Sequence, residues 1–371
     1  MTSWRRASFA AAILGGGLLV AAPIPAAAAH AIIGESNRQI ASTIPANGDL
    51  NPYGLAVIPR SNGHLKAGDA LVSNFNNAGN LQGTGTTIVE ISPSGHRRLF
   101  AAIDPNALPG ACPGGVGLTT ALVALSSGWV IVGSLPTSDG TSATMQAGCL
   151  LILNSRGRVV RTISGGDING PWDMTAVEGH DRVTLFVTNV LNGTVASSPN
   201  LVDGGTVVRL VLSTEDGSLL SSTVIGKDFP ERTDPGSLVV GPTGVGFRDG
   251  SLFVADSVNS RIARIPNALH RSTASGGLTV SAGGALNDPL GLAIASNGDI
   301  LTVNGGDGNI VQTTRGGAQV AVETLDTTAT PPGAPGNGAL FGVAIPADRE
   351  GVYFVDDVTN TLNILGNRPR R

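Results

Sequence analysis

Pro242-Thr243-Gly244-Val245-Gly246-Phe247, then Leu252-Phe253-Val254-Ala255-Asp256, then Arg261-Ile262-Ala263-Arg264-Ile265, form the stretch that decides the architecture. Three short β-prone runs separated by Gly- and Asn-bearing turns describe antiparallel strands joined by hairpins. The opening pattern, Pro-x-Gly followed by small and apolar residues, returns as Pro52-Tyr53-Gly54-Leu55-Ala56-Val57 and Pro289-Leu290-Gly291-Leu292-Ala293-Ile294. Looser copies are Pro171-Trp172-Asp173-Met174-Thr175 and Leu340-Phe341-Gly342-Val343-Ala344, and the faintest is Val116-Gly117-Leu118. Each opening leads to a second apolar run that ends near Asn74, Ser134, Asn189, Asp256, Asn304 or Asp356, then to a third run and a looser fourth.

Six such units at roughly 57 residues each suit an all-β, six-bladed β-propeller with four antiparallel strands per blade. The last unit ends at Leu365 after three strands, whereas residues 38–44 read as a fourth strand without the first three. The N-terminal strand is therefore expected to complete the sixth blade and close the ring, which leaves no exposed sheet edge. Residues 30–371 make a single domain on this reading.

Composition agrees. Of 371 residues, 52 are Gly and 22 Pro, while 13% are charged and 4% aromatic, which excludes a coiled coil and a charged disordered tail. The formal net charge is −4 and Lys66 and Lys227 are the only lysines, so no nucleic-acid footprint is expected. Residues 1–29 have the form of a signal peptide: Arg5-Arg6, an uncharged run over 7–20, and the small residues Ala26-Ala27-Ala28-Ala29. The apolar run is too short to span a bilayer, so export to the periplasm or outside the cell is expected, by either the Sec or the Tat route. Cys112 and Cys149 are then either one disulfide, closing a loop of about 38 residues, or two free thiols.

Asp256-Ser257-Val258-Asn259-Ser260-Arg261-Ile262, preceded by Pro242-Thr243-Gly244-Val245, resembles an NHL repeat of a six-bladed propeller, with looser copies from Asn304 and from Asp356. The resemblance implies the fold shared by extracellular sensor and scaffold domains and by lactonase-like and amide-lyase enzymes. It leaves the function open.

Topology sorts residues onto faces. The turns between strands two and three share a top face with the crossings from blade to blade; the remaining turns lie on the bottom face. His64, His96, His180 and His270 all fall in bottom-face turns, and His30 near the N-terminus, so no histidine cluster on the axis is expected. Tyr53, Trp172 and Phe341 stand just before the opening Gly or Asp, where they either stack a ligand at the channel mouth or pack between blades. Asp173 is the acidic residue at an inner-strand opening, and with Asn74 and Asn189 it completes the expected ligand-binding set. Asp173, Asp256, Asn304 and Asp356 are weak metal candidates, because Ca²⁺ prefers about six to eight oxygen ligands of this kind; the alternative is that they cap turns. The long segments 74–87, 135–148 and 190–205 should raise a polar lip on one side of the top face, with the crossings 227–241 and 327–338 beside it.

The expected function is thus a monomeric binding or scaffold module that takes a small molecule, peptide or protein on its top face and needs no cofactor. The alternative is a metal-assisted, lactonase-like hydrolase or lyase using Asp173 with top-face Asn and Asp residues.

Overall fold

Six antiparallel sheets follow one another along the chain, each ordered from an inner to an outer strand. The computed structural model describes residues 1, 33–34, 36–328, 333–346 and 350–366. The expected leader, apart from Met1, lies outside these residues, as do His30 and Pro331-Pro332. All the sheets belong to the unit Ala31–Arg371.

The inner strands are Leu50–Val57, Leu118–Ala124, Pro171–Glu178, Pro242–Arg248, Pro289–Ile294 and Leu340–Ala344. Each lies against the next, and that of blade six against that of blade one, so the ring is closed. Asn37–Ser42 supplies the outer strand of blade six by pairing with Thr361–Leu365, from Asn37↔Leu365 to Ser42↔Thr361. The N-terminal staple is therefore present. No helix among the described residues is long and apolar enough to cross a membrane.

Register fixes one equivalent pair in every blade: Pro52↔Asn74, Leu118↔Ser134, Pro171↔Asn189, Pro242↔Asp256, Pro289↔Asn304 and Leu340↔Asp356. Blade two thus opens at Leu118, and Thr119 rather than Val116 takes the place of Tyr53. The reason is an irregularity between Leu118 and Leu122 that fits an extra residue into the strand opening.

Opening glycines set the spacing between blades. A Cβ on Gly291 would lie 2.0 Å from the Phe341 carbonyl oxygen, and one on Gly342 would lie 2.5 Å from that of Tyr53. Four inner strands, at Gly54, Gly244, Gly291 and Gly342, therefore rest bare backbone on the next blade's carbonyl, and the Gly342–Tyr53 contact carries this around the closing seam. Apolar residues of the inner and middle strands fill the space between sheets; Leu71, Ile88, Leu118, Val132 and Leu151 do so between blades one and two.

Blade three departs from the plan. Its outer strand, Leu219–Asp234, runs past the sheet and pairs with a short strand, Leu238–Val240, in the crossing to blade four.

Candidate functional site: an axial channel floored by Asp173

Exposure along the inner strands shows which end of the axis is open. Pro171–Glu178 begins with four buried residues and ends half-buried to exposed; Pro242–Arg248, Pro289–Ile294 and Leu340–Ala344 also start buried and end half-buried. Inner strands run from the top face to the bottom, so the channel opens at the bottom face. It holds a cavity of about 260 Å³, walled by Leu55, Leu122, Val245, Leu292 and Val343 and reaching the mouth at Thr175, Phe247 and Ile294. Among the described residues Asp173 is the one titratable side chain on that wall.

Asp173 stands where other blades have the opening glycine, and its carboxyl bridges blades three and four. Oδ1 accepts the Met174 N–H at 2.8 Å, and Oδ2 accepts the Val245 N–H at 3.0 Å. The Thr188 hydroxyl accepts the Asp173 N–H at 3.0 Å and donates to the Thr243 carbonyl at 2.8 Å, which fixes the local backbone. Burial in apolar surroundings pushes the Asp173 pKa up to about 7, against the pull of the two N–H donors. Above it lies a second void of about 20 Å³, bounded by Asp173, Thr120, Gly291 and Gly342 among others. Thr120 is 4% exposed, and its Oγ1 has no protein partner.

The top end of the axis is closed. Tyr53, Trp172 and Phe341 do converge, at 2%, 3% and 0% exposure, but their faces meet each other instead of solvent. Ring centroids are 3.7 Å apart for Tyr53 and Phe341, 4.4 Å for Tyr53 and Phe75, and 6.4 Å for Trp172 and Phe341. Over this stack lies the extra hairpin of blade three: Leu238, Val239 and Val240 are buried in the same apolar cluster, and Trp172 Nε1 donates to the Val239 carbonyl at 3.0 Å. Leu238 adopts φ +63°, a left-handed conformation costing a non-glycine residue about 1–2 kcal/mol. The hairpin tip is held by Asp234, which accepts the Gly236 and Ser237 N–H groups, and by Gln82, which donates to the Pro235 carbonyl at 3.1 Å. The Tyr53 hydroxyl has no partner, and burial, with the negative charges of Asp357 and Asp234, raises its pKa.

The strand-end residues are engaged close to their own blades. Asn74 Nδ2 donates to the Thr43 carbonyl and to Thr87 Oγ1, both at 3.2 Å. Asn189 Oδ1 accepts the Asn169 N–H at 3.3 Å, and Asn304 Nδ2 donates to the Ala285 carbonyl at 2.8 Å. Asp256 Oδ2 takes Arg261 Nε at 2.6 Å, and Asp356 Oδ1 takes the Thr359 N–H at 3.0 Å. Among the described residues no three His, Cys, Asp or Glu side chains come together in a way that could hold a metal ion. The residues expected to hold a cation thus sit at separate stations around the ring and do not fit one.

The long loops lie on the top face. Those of blades one and two are bonded to each other, with the Thr137 N–H on the Gly83 carbonyl at 3.0 Å. Cys112 and Cys149 are joined in a disulfide that ties the crossing into blade two to the foot of the second loop. His64, His96, His180 and His270 are exposed, in turns away from the cavity.

Sequence reasoning missed three features here. Thr120 was hidden by the irregular opening of blade two. The Leu238-Val239-Val240 run was readable as a strand, but nothing in the repeat assigned it a partner. Asp357 follows Asp356 at the place held by Phe75, Leu135 and Val190 in blades one to three. It is 8% exposed, and burial and the neighbouring Asp356 and Asp326 raise its pKa.

No protein-family profile and no curated protein matches this chain. Solved structures of similar fold include a gluconolactonase from Xanthomonas campestris, 10% identical with a TM-score of 0.55 over 95% of this chain and 99% of that one. Virginiamycin B lyase from Staphylococcus aureus is 13% identical with a TM-score of 0.54, covering 90% of this chain and 99% of the lyase. A streptogramin B lyase is 15% identical with a TM-score of 0.50 over 90% and 98%. Identities this low establish the fold alone: the six-bladed propeller of lactonase-like and streptogramin-lyase proteins.

Proposed function

We propose that this chain is a binding propeller that works outside the cytoplasm and takes a small, largely apolar molecule on its axis through the bottom face. The observation that carries this reading is the cavity of about 260 Å³, lined by aliphatic side chains and exposed backbone polar groups, that ends at a single buried carboxyl. Concave, mostly apolar sites with a few placed polar groups are where small molecules bind. The top face, where a ligand was expected, is filled by the aromatic stack and the hairpin above it. Its lip serves the ring as a cap. The disulfide supports an oxidising compartment, where such bonds persist.

A second reading, a lactonase-like hydrolase or lyase, is favoured by the Asp173 pKa of about 7, which suits a general acid or base working near neutrality. Against it, no second titratable group among the described residues shares the cavity, and the Asn and Asp side chains expected to assist are engaged elsewhere.

The test is a thermal-shift screen of small amphiphiles against the wild type and a Thr175→Trp variant, which narrows the mouth. Compounds that stabilise the wild type and lose their effect in the variant support axial binding. Lactone hydrolysis or cyclic-ester opening that disappears in Asp173→Asn would establish the enzymatic reading instead.

A further inference from the structure

We infer that the axial cavity is built for an ammonium group on a small apolar body, with Asp173 and Thr120 accepting its N–H bonds. This rests on the reading that the ligand sits on the axis, and it names the ligand's charge.

Charge balance comes first. Asp173 is 9% exposed, and two backbone N–H groups point at its carboxyl, an arrangement suited to a carboxylate. Among the described residues no Lys, Arg or His lines either void, so none of them offers a counter-ion. The other five inner strands present no titratable side chain to the cavity at all. A buried anion without a partner is costly, and a ligand carrying the opposite charge removes that cost.

Hydrogen-bond valence agrees. Each Asp173 oxygen accepts one backbone N–H and keeps further acceptor capacity. Thr120 Oγ1, on the same small void, has no protein partner and accepts as readily. An ammonium brings three donors and no acceptor. Shape agrees as well. The void of about 20 Å³ has room for a head group of water size, and the adjoining cavity of about 260 Å³ takes a hydrocarbon chain against Leu55, Leu122, Leu292 and Val343.

The pH dependence has a definite sign. With a pKa near 7 in the empty site, Asp173 must lose its proton to meet a cation. Amine affinity should therefore rise from pH 6 to pH 8 by about tenfold, and weaken again only where the amine itself loses its proton. A carboxylic acid pairing with protonated Asp173 would show the reverse slope.

The experiment is calorimetric titration of the full chain with hexylamine, hexanol and hexanoate at pH 6 and pH 8. Expected are binding of hexylamine in preference to the other two, the tenfold gain with pH, and loss of that gain in Asp173→Asn. Thr120→Val should fold normally, since its hydroxyl bonds to nothing in the protein, and should weaken hexylamine several-fold without affecting hexanol. It keeps the inference testable should Asp173→Asn fail to fold. Equal binding of hexylamine and hexanol, or tighter hexanoate binding at pH 6, overturns the ammonium assignment and leaves axial binding standing. Failure of all three probes to bind overturns both.

Discussion

At the scale of single residues, Asp173 makes stability depend on pH in an unusual direction. Its pKa is about 7 in the folded protein, against about 4 for an ordinary aspartate. Between those values the folded state keeps a proton that the unfolded state has already lost, so stability falls as pH rises through this window. The loss is complete above pH 7 and is on the order of 3–4 kcal/mol for this group alone. Glu231, raised to about 7, Asp288 and Asp356, each raised to about 6, and Asp357, raised well above the usual carboxylate range, all chiefly by burial, act in the same direction. The melting temperature should therefore decrease from pH 5 to pH 8, and Asp173→Asn should make that slope measurably shallower without abolishing it. Differential scanning calorimetry at four pH values would decide; a wild type that melts at its highest temperature at pH 8 contradicts the account. Asp173 was visible in the sequence as the acidic residue in a glycine's place. Which way its carboxyl faced was not, because that depends on how the Met174 and Val245 amides are turned.

At the scale of elements, the repeat was legible because four of the six inner strands need an opening glycine for a physical reason. Gly291 cannot carry a side chain against a carbonyl oxygen that would lie 2.0 Å from its Cβ. Gly291→Ala should cost about 2 kcal/mol or more, since both partners are backbone and neither yields cheaply. Gly316→Ala is the control: its Cβ would meet only Thr314 Oγ1 at 3.8 Å, and the expected change is within about 0.5 kcal/mol. Comparable urea midpoints for the two would mean that the opening glycines do not set the blade spacing. Blade two broke the pattern because its opening carries the irregularity, and Val116-Gly117 imitates the motif three residues early. The aromatic stack was half legible. Position alone brings Tyr53, Trp172 and Phe341 together, but whether they face solvent depends on Leu238, Val239 and Val240, which belong to no repeat. The disulfide spans a sequence separation of 37, so its removal should cost about 3–4 kcal/mol on the entropic account. Reduction should lower the melting temperature, and rapid alkylation of both cysteines without reductant would show the bond to be absent.

At the scale of the whole molecule, everything proposed for the axis depends on the ring being shut. Two contacts shut it: Gly342 rests on the Tyr53 carbonyl at the inner edge, and Asn37–Ser42 pairs with Thr361–Leu365 at the outer edge. Thr43 adds a backbone bond to the Asn360 carbonyl at 2.9 Å. Without residues 38–44, blade six would present an unpaired strand carrying Leu362 and Leu365, each now 1% exposed. Deletion of 38–44 should therefore give aggregated or non-cooperatively unfolding protein. Such a failure could also arise from losing any seven residues, so a rearranged chain is the sharper test. The Gly366 N–H already bonds to the Ser36 carbonyl at 2.8 Å, which places the two ends at hairpin distance. A permuted chain that begins at residue 45 and carries residues 36–44 after residue 366, through a two-residue Asn-Gly turn, restores the strand from the other end. It should fold, melt in one transition near the wild type, and keep the axial site. If the permuted chain stays unfolded while the simple deletion folds, the outer strand is not what closes the ring, and a channel defined by that closure goes with it.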